Sequence, residues 1–238
     1  MAIVVTPLDN QIGSGNSITS DSVSVVNGDY LLVCAAGGKA SAASDPITSM
    51  AIDGNALTKL VESVPTATFN SLDWFHCSIW GLKVTSSITG TIVGSCAGGT
   101  DNTQLYLAAV KATGVDSVTP VGDTDSMSDR TGTGVPRSLT VTTAAGDVVF
   151  DVLSWDSSFS NDAIPDGSQT EIYNVTSSEA GIGASYKAAS GSSTTMTWTN
   201  DIDFTFRMCA AVLNQAAGGG GGVLLKSPMV WRQPVVAQ

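Results

Sequence analysis

Apolar and polar positions alternate along most of this chain, in short runs separated by clusters of Gly, Asp, Asn, Ser and Pro. A period of two marks strands with one covered face, and runs bounded by turn residues point to many short antiparallel strands. Residues 2–6 form a short β-type run ended by Pro7, and residues 9–21 are polar and Gly-rich, as in a loop. Residues 23–35 then read as an alternating strand, a Gly28-Asp29 turn, and a strand apolar on both alternating faces. Double-sided apolarity predicts a central strand covered from above and below. Residues 47–52 and 57–64 flank Asp53-Gly54-Asn55, a strong hairpin signal. Residues 74–84, 89–96 and 104–113 read as further strands, with loops at 39–45 and 65–73.

The phrase at 23–35 returns at 139–153, where Gly146-Asp147 holds the turn. Strand-like runs follow at 170–176, 181–188, 194–199 and 204–214, with a polar loop at 156–167. Gly28-Asp29 aligns with Gly146-Asp147 at an offset of 118, Trp80 with Tyr186 at 106, and Ala108-Ala109-Val110 with Ala210-Ala211-Val212 at 102. The offset falls between strands, where loops tolerate length change. The chain therefore reads as an internal duplication, with halves at 1–114 and 136–216 and a connector at 115–135. No sustained helical spacing appears. The fold expected is all-β: a two-sheet, jelly-roll-like β-sandwich over 1–216 with one core shared by halves that do not stand alone. Residues 217–238 are expected to be a Gly-rich linker and an extended C-terminal tail, since 218–222 are five consecutive glycines.

Composition agrees with this pattern: 42% of residues are hydrophobic and only 13% charged, with Ser, Thr and Gly filling the difference. Net charge is −11, but it is uneven. The tail carries Lys226 and Arg232 and no acid, so it contributes +2 and the body −13. An acidic body argues against nucleic-acid binding, which needs a basic footprint. No apolar run reaches the length of about 20 residues that spans a bilayer, and the start lacks a signal-peptide pattern. Folding in the cytoplasm is expected. Cys34, Cys77, Cys96 and Cys209 lie in strand-like runs without a C-x-x-C pair, so they read as small core residues, with a disulfide as the alternative.

Candidate chemistry is sparse. His76 is the one histidine and sits inside a strand run, where a partly buried, hydrogen-bonded role fits better than a catalytic triad. Glu62, Glu171 and Glu179 form no evident facing pair for glycosidase chemistry. Asp123, Asp125 and Asp129 have the spacing of a calcium loop, but Ser128 stands at the sixth-position Gly and Gly134 where a bidentate Glu belongs. A solvated acidic loop fits better, and no metal or other cofactor is expected. Trp74, Trp155 and Phe159 border loops and form a candidate sugar-stacking platform, with plugging of the core edge as the alternative. Arg130 and Arg137 flank the connector and read as solvated surface cations, with contact to a partner as the alternative. The tail places Val223, Leu224, Leu225, Lys226, Pro228, Met229, Val230, Trp231 and Arg232 in one short apolar, cationic segment. It is too short to fold alone, so it reads as a partner-binding arm.

The doubled Gly-Asp phrase, the aromatic-centred strand Ser-Ile-Trp-Gly-Leu-Lys at 78–83 and the closing Leu-Ala-Ala-Val-Lys-Ala-Thr-Gly-Val-Asp at 107–116 resemble tailed-bacteriophage virion proteins of jelly-roll type. The second half ends Val212-Leu213-Asn214 without a Gly-Val-Asp, a departure from the pattern. The resemblance implies a non-enzymatic virion protein, of the capsid decoration, cement or head-fibre type. Its partners would be other virion proteins, copies of itself or capsid and tail subunits, with neither nucleic acid nor membrane. A tail-associated protein that binds a host-surface glycan is the alternative.

Overall fold

The computed structural model describes residues 1–39, 47–63, 75–96, 102–131, 135–156, 163–176, 180–199 and 204–217. All regular structure among them is strand. The first half supplies β1 (Val4–Gly13), β2 (Ser17–Val25), β3 (Tyr30–Lys39), β4 (Ile47–Ile52), β5 (Asn55–Ala56), β6 (Thr58–Ser63), β7 (Phe75–Lys83), β8 (Ile88–Cys96) and β9 (Asn102–Thr113). The second supplies β10 (Val121–Thr131), β11 (Arg137–Thr142), β12 (Val148–Asp156), β13 (Ile164–Pro165), β14 (Thr170–Thr176), β15 (Ala180–Ala188), β16 (Ser193–Thr199) and β17 (Phe204–Leu213). The expected all-β, antiparallel sandwich is the observed architecture.

Its layering differs from the two-sheet expectation. The described residues form four sheets, ordered β1-β9-β3-β7-β6, β2-β8-β4-β5, β10-β17-β12-β15-β14 and β11-β16-β13. The two five-stranded sheets lie face to face in the middle. Between them pack Tyr30, Leu32, Cys34, Ile79, Tyr106, Val148, Phe150, Val152, Ile182 and their neighbours. The opposite face of the first central sheet puts Leu31, Val33, Trp80 and Leu107 against Ile18, Val25, Met50 and Ile92 of the β2 sheet. In the second half, Val149, Leu153, Trp155 and Met208 meet Leu139, Val141, Met196 and Trp198 of the β11 sheet. Each half is thus a sandwich with its own core, and a third core joins the halves. The cause is legible in β3 and β12: a strand apolar on both faces must be covered twice.

The Gly-Asp turns are not hairpins. β2 pairs with β8 while β3 pairs with β7 and β9, so the turn carries the chain from an outer sheet to a central one. One geometry serves both copies. Gly28 and Gly146 take φ of 93° and 97°, a left-handed backbone that favours glycine. The Asp29 carboxylate accepts from the Val26 N–H at 2.9 Å and the Asp147 carboxylate from the Ala144 N–H at 2.7 Å. The Gly N–H groups donate to Val84 and Ala189 carbonyls. A two-residue hairpin does form at Asp53-Gly54, with φ of 44° and 77°, but β5 is only two residues long and the chain then leaves for the central sheet as β6.

Strand pairing also corrects the alignment of the halves. Tyr30 pairs with Lys83 and Ala112, and Val148 pairs with Ala188 and Leu213. Lys83 to Ala188 is 105 positions and Ala112 to Leu213 is 101, one fewer than the sequence offsets in each case. Trp80 therefore corresponds to Ser185, not Tyr186, which faces the other core. The stretch 115–135 is not a plain connector: β10 lies within it and forms an edge of the second central sheet. Likewise β1 and β2 occupy most of 9–21, with β1 passing Pro7 through a register shift.

Candidate functional site

Strand direction sorts the connections into two ends. One end gathers the start of β1, both Gly-Asp turns, the β7–β8, β9–β10 and β15–β16 connections, and the exit of β17. The opposite end joins the strand termini linked by 40–46, 64–74, 97–101, 132–134, 157–162, 177–179 and 200–203. Those linking sequences contain Asp45, Asp73, Asp101, Asp162, Glu179, Asp201 and Asp203, and no Lys or Arg. Of the described lysines, Lys83, Lys111 and Lys187 lie toward the first end, near the ends of β7, β9 and β15, and Lys59 lies near the start of β6, while Lys39 closes β3 at the opposite end.

The root of the tail is built into that first end. Gln215 bridges to Val115 as an isolated antiparallel pair, and its N–H donates to the Asp147 carboxylate at 2.9 Å. Its side-chain amide donates to the Met1 carbonyl at 3.0 Å, and the Ala216 N–H donates to the Gly114 carbonyl at 3.0 Å. Asp147, a turn residue by sequence, therefore also holds the exit of the last strand. The chain is pinned where the two halves meet, immediately before the five glycines. The arm residues Val223, Leu224, Leu225, Lys226, Pro228, Met229, Val230, Trp231 and Arg232 lie outside the described residues.

Of the three platform candidates, Trp155 takes the alternative role in the core. Trp155 is fully buried in the second half's core, with its ring filling the space that a Cβ on Gly181 would need. Its position on β12 points it inward, between sheets, so it is unavailable for stacking on a sugar. Trp74 and Phe159 lie outside the described residues.

The acidic stretch is a strand rather than the solvated loop expected, since Asp123, Asp125 and Asp129 all fall within β10. Asp123 and Asp125 are exposed positions of that extended strand. Asp123 instead joins two sheets: its carboxylate accepts from the Thr142 N–H at 2.8 Å, which holds it below the usual carboxylate range. Asp125 accepts from the Ser126 N–H at 2.8 Å. Among the described residues no cluster of three or more His, Cys, Asp or Glu side chains has metal-binding geometry.

Of the remaining candidates, Glu179 and the Arg130 side chain lie outside what the structure describes, and the others hold structural positions. His76 is fully buried on β7 rather than partly exposed. Arg137 is also buried, contrary to its reading as a surface cation, with its guanidinium 4.8 Å from the Phe206 ring centre. Glu62 pairs with Lys59 at 2.6 Å, and Glu171 accepts from Asn174 at 3.1 Å.

A buried polar cluster in the second half escaped the sequence reading. Asp151, central in β12, has no exposed surface. Its carboxylate accepts from the Ser185 N–H at 3.0 Å and hydroxyl at 2.6 Å, and from the Trp198 indole N–H at 2.7 Å. Gln169 donates to the Ser185 hydroxyl at 2.7 Å and accepts from the Thr197 N–H at 2.6 Å. Burial pushes the Asp151 carboxyl up to about 7, against the lowering effect of these donors. The cluster ties β12, β15 and β16 together across two sheets. Its signal in the sequence is one Asp inside Val-Val-Phe-Asp-Val-Leu, at a position whose counterpart is Val33.

The chain matches no known family by sequence model and no curated protein by sequence. Fold and site together define a layered all-β protein whose polar side chains close turns, join sheets and anchor the tail root.

Proposed function

We propose that this protein is a non-enzymatic structural component on the exterior of a bacteriophage particle, of the capsid decoration, cement or head-fibre type, attached through residues 218–238. The observation that carries the reading is the polarity of the body. The tail leaves from an end where it is pinned at the junction of both halves, and the acid-rich connecting sequences lie at the other end. Such a body presents the tail end to the particle and the acidic end to solvent, where like charge limits self-association. The repeated strand order of the two central sheets supports duplication of one sandwich unit, as the phage resemblance implies. Deletion of 218–238 tests the reading. The truncated chain is expected to fold normally and to be missing from purified particles; its incorporation at the normal level overturns the proposal.

A tail-associated, glycan-binding role is the second reading. It is favoured by Trp74 and Phe159 falling in sequences that join β7 and β12 at the same end, on strands of facing sheets. A glycan array with the full chain and with Trp74→Ala decides it. Binding lost in the variant supports this role, and a blank array removes it.

A further inference from the structure

Three of the four cysteines, Cys34, Cys77 and Cys209, lie in the core that joins the two halves. Cys77 belongs to β7 of one central sheet and Cys209 to β17 of the other. Their sulfurs are 3.6 Å apart, while the Cys34 Sγ is turned toward the Asp151 carbonyl at 3.9 Å. Small residues share this core with the pair: Ala36, which is paired with Cys77 across β3 and β7, and Ala108, Ala184 and Ala211. They let the two sheets approach closely, as sheets joined by an inter-sheet disulfide must. Closing the sulfur separation to the covalent value of about 2.05 Å requires a shift of about 1.5 Å, within reach of χ1 adjustment on both residues.

We propose that Cys77 and Cys209 are a cross-linking site: oxidised, they form a disulfide that joins the two half-sandwiches through their shared core. Each thiol gives up its proton, one S–S bond forms, and two electrons pass to a low-molecular-weight disulfide, which is released as two thiols. The exchange proceeds through a mixed disulfide on one cysteine that the other displaces. Both residues are fully buried, and burial holds the Cys209 thiol well above its ordinary value. The closed native state is therefore slow to react, and the bond forms while the halves are still coming together or transiently parted.

The full chain refolded from denaturant in oxidised and reduced glutathione tests this. Trypsin places the four cysteines on separate peptides, 1–39, 60–83, 84–111 and 208–226. Expected are a loss of two alkylatable thiols out of four, a linked 60–83/208–226 peptide, and a melting temperature raised by several degrees that reverts on reduction. The Cys34→Ala/Cys96→Ala double variant is expected to keep the link, and Cys77→Ala to lose it. Should Cys77→Ala fail to fold, the double variant alone decides. Four alkylatable thiols in folded, oxidised protein, or a link that uses Cys34 or Cys96, overturns the proposal.

Discussion

Asp151 is a carboxylate placed where its charge has no water, held by hydrogen bonds from Ser185 and Trp198. Its folded value of about 7 exceeds the unfolded value of about 3.9. Between those values the native state binds more protons than the unfolded state, so stability is greatest toward pH 4 and falls as pH rises to about 7, then levels. A shift of this size corresponds to at most about 4 kcal/mol. Asp116, Asp123 and Asp166 are held low by hydrogen bonds, Asp116 by Thr119 first, Asp123 by Thr142 and Asp166 by Ser168; their contributions are lost only as pH falls below the ordinary carboxylate value. Urea unfolding at pH 5 and pH 8 should therefore show a lower midpoint at pH 8 for the wild type. Asp151→Asn should reduce that difference most strongly among single carboxylate variants. A second residue-scale test concerns Gly183, where a Cβ would stand 2.6 Å from the Trp198 ring. Gly183→Ala should lose about 1–3 kcal/mol in chemical denaturation, because the ring is enclosed and has nowhere to move.

At the scale of elements, the Gly-Asp turn repeats one device with unequal surroundings. A Cβ on Gly28 meets nothing within 4 Å, whereas one on Gly146 overlaps the Gln215 side-chain amide. Both glycines have positive φ, so Gly28→Ala should cost about 1 kcal/mol from backbone strain alone. Gly146→Ala should cost more and should also loosen the root of the tail. Thermal melts rank the two, and amide hydrogen exchange at Gln215 and Ala216 reads the second effect. The turn itself was legible in the sequence, since Gly beside Asp between strand patterns specifies left-handed backbone and a side-chain acceptor. That it joins two sheets rather than two paired strands was not. A positive φ at glycine serves turns of either kind, and the difference lies in which neighbours β2 and β3 find. The displaced alignment has the same origin: a small-residue strand such as Ala108–Val110 looks alike in adjacent registers, and pairing decides which face each residue takes.

For the whole molecule, the three cores lie within residues 1–217. Removal of 218–238 should leave the melting temperature in a thermal melt unchanged within about 1 °C, since the truncated chain keeps these three cores and the tail root at Gln215 and Ala216. Separation of the halves should not be tolerated. Residues 1–116 expressed alone would expose Leu32, Ile79, Tyr106 and Val110 on one face of the β3 sheet, an apolar area of the kind that drives association. Size-exclusion chromatography should find that fragment aggregated or self-paired, and monodisperse when co-expressed with 117–238.

The sequence by itself determined the all-β class, the doubled turn, the two-sided burial of β3 and β12, and the distinct composition of the tail. Each of these is written in local alternation or in single residue types. Only the tertiary structure decided that there are four layers, that Trp155 and Arg137 turn inward, that Asp123 holds two sheets together, and that Asp151, Ser185 and Trp198 meet. Those outcomes depend on register and on which faces pack, and such contacts join residues far apart in the chain. A sheet face is chosen by its partner, and the partner is not written beside it.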